Sequence, residues 1–176
     1  MVPHLTVLGG AFVILTSSAV AVAGPARGKA HPAWPGVFIE LGNYIARYES
    51  PVVEKGEKPT KYQQKARYDW SGGRFEVIEI TLARDPAFKD RYSAEVMKKE
   101  KTPPKEVEIN KKKAWLWEFQ PEQGKLDKVV KRLVVLLDVE KAIIIEQKGF
   151  GADLREVAAR FDFAKVEKAL AKPPAK

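Results

Sequence analysis

Three lysines stand directly before two tryptophans in the stretch NKKKAWLWEF: Lys111, Lys112 and Lys113, then Trp115 and Trp117. Cations beside aromatic rings suit a surface that grips an anionic polymer, with lysines meeting its charge and rings stacking on its flat groups. The same spacing also describes a strand with one packed face. Trp115, Trp117 and Phe119 then fall on one side, with Ala114, Leu116 and Glu118 on the other. Packing is the favoured reading, because Phe161 and Phe163 downstream also need a surface to pack on, and it makes the lysines a charged turn. These five residues are the candidate partner-binding set. For a polymer to be held, Lys98, Lys99, Lys101, Lys128, Lys131 and Arg132 would have to converge with the lysines of that set on one face.

Other chemistry is sparse. The chain has two histidines, His4 and His31, and no cysteine. Disulfides, thiol nucleophiles and zinc–thiolate sites are therefore excluded, and a Ser–His nucleophile would have only His31, in the leader, as its base once His4 leaves with the signal. No glycine-rich phosphate loop of the P-loop type occurs. The stretch GFGAD precedes a helix start whose amides could hold an anion, but Asp153 already stands there as a cap. Glu76, Glu79 and Glu146 could serve a carboxylate-based hydrolase, which needs two carboxyls about 5 to 10 Å apart. Spacing alone puts no pair together, and exposed strand positions are the simpler reading. No catalytic, cofactor-binding or metal-binding residue is assigned, and no cofactor is expected.

The elements that would position these groups lie behind an unusual start. Residues 1–23, MVPHLTVLGGAFVILTSSAVAVA, contain no acidic residue, lysine or arginine, and Ala21-Val22-Ala23 fits the small-x-small pattern of a signal-peptidase site. The expectation is a signal peptide over 1–23, a flexible leader over 24–35, one α+β domain over 36–171 and a disordered basic tail over 172–176. Cleavage leaves roughly 150 residues, enough for one core. The expected destination is periplasmic or extracellular, with no stable membrane anchor after cleavage. The alternative is that the stretch is kept as an uncleaved anchor, for which Gly9, Gly10, Thr16, Ser17 and Ser18 thin out the apolar run. The net charge of +8 comes from 31 Lys and Arg against 23 Asp and Glu, interspersed along most of the chain. That describes a mixed, solvated surface more than a nucleic-acid grip.

Within the domain, period-two alternation marks the strands. Tyr44, Ala46 and Tyr48 share a side, as do Tyr62, Gln64, Ala66, Tyr68 and Trp70, and as do Ile78, Ile80 and Leu82. Ser71-Gly72-Gly73 reads as a turn. Asp85 and Pro86 open a mid-chain helix whose stripe is Phe88, Tyr92 and Val96, stopped by Pro103 and Pro104. EVEI and KKAWLWEF form a hairpin around a basic turn. KRLVVLLDVEKAIIIEQKG forms a second hairpin, apolar on both faces as central strands are. Asp153 with Glu156 makes a capping box, and a new cap at Asp162 divides the C-terminal helix.

The order EVEINKKKAWLWEF, KRLVVLLDVEKAIIIEQKGF, LREVAARFDFAKVEKAL resembles the PsbP-like and DcrB-like exported α/β sandwich domains over residues 106–170. The resemblance implies an antiparallel β-sheet with a mid-chain helix and C-terminal helix or helices packed on it. It also implies an accessory or assembly role without catalytic residues, docking on a larger complex or envelope component. The expected function is therefore an exported, non-enzymatic binding domain with a protein or envelope partner. The alternatives are a carboxylate-based envelope hydrolase and a binder of anionic polymer through a Lys-rich face.

Overall fold

A computed structural model describes residues 30–120, 125, 127–149 and 151–174. The segment expected to be a signal peptide (1–23), residues 24–29 of the expected leader and the last two residues of the expected tail lie outside the described residues.

Among the described residues the strands are β1 (Tyr44–Tyr48), β2 (Val52–Val53), β3 (Tyr62–Trp70), β4 (Glu76–Arg84), β5 (Lys105–Ile109), β6 (Lys112–Glu118), β7 (Val129–Leu136) and β8 (Lys141–Gly149). All eight join one antiparallel sheet in the order β1-β3-β4-β8-β7-β6-β5, with β2 beside β1 on the same edge of β3. Two meanders meet at its centre, where β4 and β8 pair from Glu76↔Gly149 to Arg84↔Lys141. The β5–β6 turn is Asn110-Lys111, both at positive φ (47° and 65°), a pair of left-handed residues whose twist matches the strands they join.

Register sorts the side chains onto two faces. The first carries Ala66 and Tyr68 of β3, Ile78, Ile80 and Leu82 of β4, Ile143 and Ile145 of β8, and Leu133 and Val135 of β7, all buried. Two short helices cover it, α3 (Leu154–Ala159) and α4 (Phe163–Ala169), through Leu154, Val157, Phe161, Phe163 and Val166. Asp153 and Asp162 cap them by accepting from the amides of Arg155 (2.9 Å) and Lys165 (3.0 Å), so the division at Asp162 is as the sequence indicates.

The second face carries a smaller apolar cluster under α1 (Phe88–Arg91) and α2 (Ala94–Lys98). The single mid-chain helix expected from the Phe88-Tyr92-Val96 stripe is two helices. Ser93 is extended (ψ 149°) and its side chain accepts from Val96 N, restarting the helix and resetting its phase. Met97 consequently points inward, while Val96 is 43% exposed.

The leader also departs from expectation over its described part, residues 30–35. Ala30 bridges Tyr48, and Trp34 is buried against Tyr62. Buried Gln64 acts as a clamp: its Oε1 accepts from Ala33 N (2.7 Å), and its Nε2 donates to His31 O (3.0 Å) and Glu49 O (2.9 Å). Glycine and proline content suggested a loose segment, but the tryptophan and the buried amide dock it. At the other end, Pro174 is buried, inside the segment expected to be a loose tail.

Candidate functional site

The tryptophans that open the sequence question lie on the second face and are closed off by helices. Trp115 and Trp117 are 4% and 3% exposed. Each indole N–H is used internally, Trp115 donating to Tyr92 O (3.1 Å) and Trp117 to a Glu100 carboxylate oxygen (2.9 Å). Buried indoles with satisfied donors are core residues.

The three lysines diverge. Lys111 sits exposed in the hairpin turn. Lys112 turns to the first face, where Nζ donates to Leu137 O (2.6 Å) and pairs with Glu167 (3.3 Å). Lys113 turns to the second face, over the Trp115 ring (4.4 Å) and paired with Glu106 (3.0 Å). The wider basic set splits as well. Lys98, Lys99 and Lys101 lie at and beyond the end of α2, Lys131 faces the α3 side, and Arg132 lies across the sheet. Alternation along a strand sends consecutive lysines to opposite faces, so a lysine run on a strand cannot form one patch.

The exposed charged feature of the sheet lies elsewhere. Strand pairing aligns Arg47, Arg67, Glu79, Glu146, Arg132 and Trp117 as one row across β1, β3, β4, β8, β7 and β6 on the second face. Trp117 ends the row under the helices. The other five are charged, and Lys65, Asp69 and Lys148 flank them. Glu79 is paired with Lys148 (3.0 Å), Lys65 (3.5 Å) and Arg67 (3.9 Å). Glu146 takes Arg132 through two nitrogens at 2.7 and 2.6 Å. Asp69 lies 2.9 Å from Arg67 and 3.6 Å from Arg47, and one of its buried oxygens accepts no hydrogen bond. Buried Val77 stands opposite Asp69 and Lys148 in register. The region thus carries five cations, Arg47, Lys65, Arg67, Arg132 and Lys148, against three carboxylates.

Two juxtapositions in the row run against simple pairing. Arg47 is directly opposite Arg67, and Glu79 is directly opposite Glu146. Like charges so placed each cost about 0.2–1 kcal/mol. The register therefore does bring together two of the three carboxylates considered for hydrolysis. Burial acts to raise the Glu79 pKa, but hydrogen bonds and charge from Lys148 and Lys65 outweigh it and hold the carboxyl below its ordinary value, as a fixed negative charge and not as a proton donor. A general acid needs the opposite shift.

Glu76, the third carboxylate, is buried on the first face and serves structure. Its Oε1 accepts from Tyr44 Oη (2.6 Å), Ala152 N (2.9 Å) and Gln147 Nε2 (3.4 Å), and Arg74 lies 3.0 Å from Oε2. The carboxylate rests against Gly151, where any Cβ would collide with it. In the GFGAD stretch the Ala152 amide thus meets an anion of the chain's own. Among the described residues, no group of three or more His, Asp or Glu side chains is placed to hold a metal ion.

The cross-sheet row escapes sequence reasoning because β4 and β8 are far apart in the chain. The available signal is local: Lys65, Arg67 and Asp69 at period two, and Glu146 with Lys148, mark one polar face on each strand.

No family model matches the chain, and neither a curated protein nor a solved structure matches it.

Proposed function

We propose that this chain is an exported, non-catalytic binding domain that docks a protein or cell-envelope partner through the open charged half of its sheet. The observation that carries the reading is the row with Arg47 opposite Arg67 and Glu79 opposite Glu146. Each such pair works against folding, and a partner presenting charges of complementary order relieves both at once. The flanking side chains remain partly exposed and the net excess is cationic, which favours a partner surface of mixed charge with an acidic bias. The lowered Glu79 pKa keeps this carboxylate ionised, a fixed negative charge for a partner to meet. An antiparallel sheet with short helices on it also suits the PsbP-like and DcrB-like resemblance and the accessory role it implies.

The test uses the mature chain immobilised against envelope extract, in parallel with an Arg47→Ala/Arg67→Ala/Arg132→Ala variant and a Lys111→Ala control. A defined species retained by the wild type and the control, weakened by salt and lost from the triple variant, is the expected result. Retention by the triple variant equal to wild type overturns the reading. Heparin binding that survives the triple variant and fails in Lys111→Ala would favour the anionic-polymer alternative instead.

A further inference from the structure

We propose a second, separate site: a pocket for a small organic anion with an apolar body, at the corner where β2, β3, β4 and α1 meet. A cavity of about 460 Å³ opens there, within the roughly 300–1,000 Å³ of small-molecule sites. Its walls divide by chemistry. Ala83 of β4, Ile144 of β8, Phe88 of α1 and Val52 of β2 supply an apolar surface, with Val52 61% exposed.

The charged wall is built around one buried carboxylate. Asp85 accepts from Ala87 N (3.0 Å) through Oδ1, while Oδ2 pairs with Lys61 (2.9 Å) from β3's approach and with Arg91 (3.5 Å) from α1. Arg91 also lies over the Phe88 ring, 5.6 Å from its centroid. Two cations from opposite sides are thus drawn to one point, with more than half of each side chain still exposed.

One carboxylate does not use their donors. An ammonium has three N–H groups and a guanidinium five, and Asp85 occupies one side of each. A second carboxylate entering from the cavity mouth can bridge Lys61 and Arg91 while Asp85 holds both in place. Its apolar body then lies on Phe88 and Ile144. The other charged lining groups are committed: Arg84 is held by Glu140 through two nitrogens (3.0 and 2.8 Å), and Glu54 accepts from Thr60 (3.3 Å). With Arg84 offset by Glu140, Lys61 and Arg91 balance Glu54 and Asp85 in charge. The preference for an anion over a cation of the same shape therefore comes from the N–H donors that Lys61 and Arg91 keep free, not from net charge.

Isothermal titration calorimetry of the mature chain with decanoate and with decyltrimethylammonium, each below its micelle concentration, tests this. The expected result is saturable binding of one decanoate per chain, weakened about tenfold by Lys61→Gln and again by Arg91→Gln, with no saturable binding of decyltrimethylammonium. Both side chains are solvent-exposed, and thermal melts verify that the variants fold. Absence of saturable decanoate binding overturns the proposal, as does an affinity unchanged in the double variant or matched by the cationic amphiphile. The pocket shares no residue with the Arg47–Arg132 row, so either proposal can fail without the other.

Discussion

One face of the sheet holds two regions of opposite character, a few ångströms apart. Over β6 and the lower part of β7 and β8, Trp115, Trp117, Val134 and Ala142 are buried beneath Phe88 and Met97 of the two short helices. Over β1, β3 and the adjoining ends of β4 and β8, the same face carries Arg47, Arg67, Glu79 and Glu146 and no packed cluster. The boundary runs between neighbours in register, Trp117 and Arg132. Strand geometry is the same on both sides; what differs is whether a helix lies above. Apolar side chains serve where cover exists. Charges that partly oppose one another serve where it does not, so the first region is built for stability and the second tolerates a loss of it.

The largest expected effect breaks the covered half. Trp117→Ala removes a buried ring and leaves the Glu100 carboxylate without its donor, for a loss of about 3–5 kcal/mol. Urea unfolding should show a lower midpoint with an unchanged slope, because the surface exposed on unfolding barely changes. An effect under about 1 kcal/mol, the size typical of exposed positions, would erase the contrast between the two regions.

Much of this arrangement is legible in the sequence, and the gaps have physical causes. The tyrosine-rich strand, both later hairpins and the caps at Asp153 and Asp162 follow from local periodicity and capping chemistry. Alternation also puts Trp115 and Trp117 on one side together. It does not say which side is covered, since that depends on where α1 and α2 cross the sheet. The break at Ser93 is hidden because a stripe of four-residue spacing continues through it to Val96, and serine caps only if the backbone is extended there. The docked leader depends on Gln64, some thirty residues downstream. The Glu79–Glu146 pairing needs the β4–β8 register, which no local pattern encodes.

A smaller effect sharpens the comparison from the open half. Glu79→Gln leaves Lys65, Arg67 and Lys148 short of their shared carboxylate, at a cost of about 1–3 kcal/mol less the roughly 0.2–1 kcal/mol recovered by removing the like charge opposite Glu146. The loss depends on pH with a definite sign. Glu79 has a pKa below its ordinary 4.5 in the fold, so its contribution is complete above that value and disappears as pH falls through the lower folded value. Stability curves of wild type and Glu79→Gln should therefore converge in acid and separate towards neutrality. Parallel curves would show that the cations do not depend on this carboxylate.

Lys113→Ala addresses the lysine–tryptophan stretch from Lys111 to Trp117. The ammonium stacks on a ring that is already buried and pairs with exposed Glu106, so its removal costs about 0.5–1 kcal/mol. Trp115 emission should stay blue-shifted and resist iodide. A red shift would mean that the lysine, and not α1 and α2, keeps water from the ring.

The smallest stability change carries the clearest functional contrast. Glu146→Gln removes the ion pair with Arg132, worth about 0–1 kcal/mol at a partly exposed site, and also removes a like charge opposite Glu79 of similar cost. The two nearly cancel, so the midpoint of unfolding should shift by less than about 0.5 kcal/mol in equivalent free energy. Partner capture should respond far more, because the + + − − + order from Arg47 to Arg132 loses one of its central charges while Arg132 is left uncompensated. A residue kept for the fold would show the reverse pattern, with stability lost and capture tracking only the folded fraction. Near-neutral stability together with weakened, salt-sensitive capture would therefore place the constraint on Glu146 in what the sheet meets, and unchanged capture would return the row to being an ordinary solvated face.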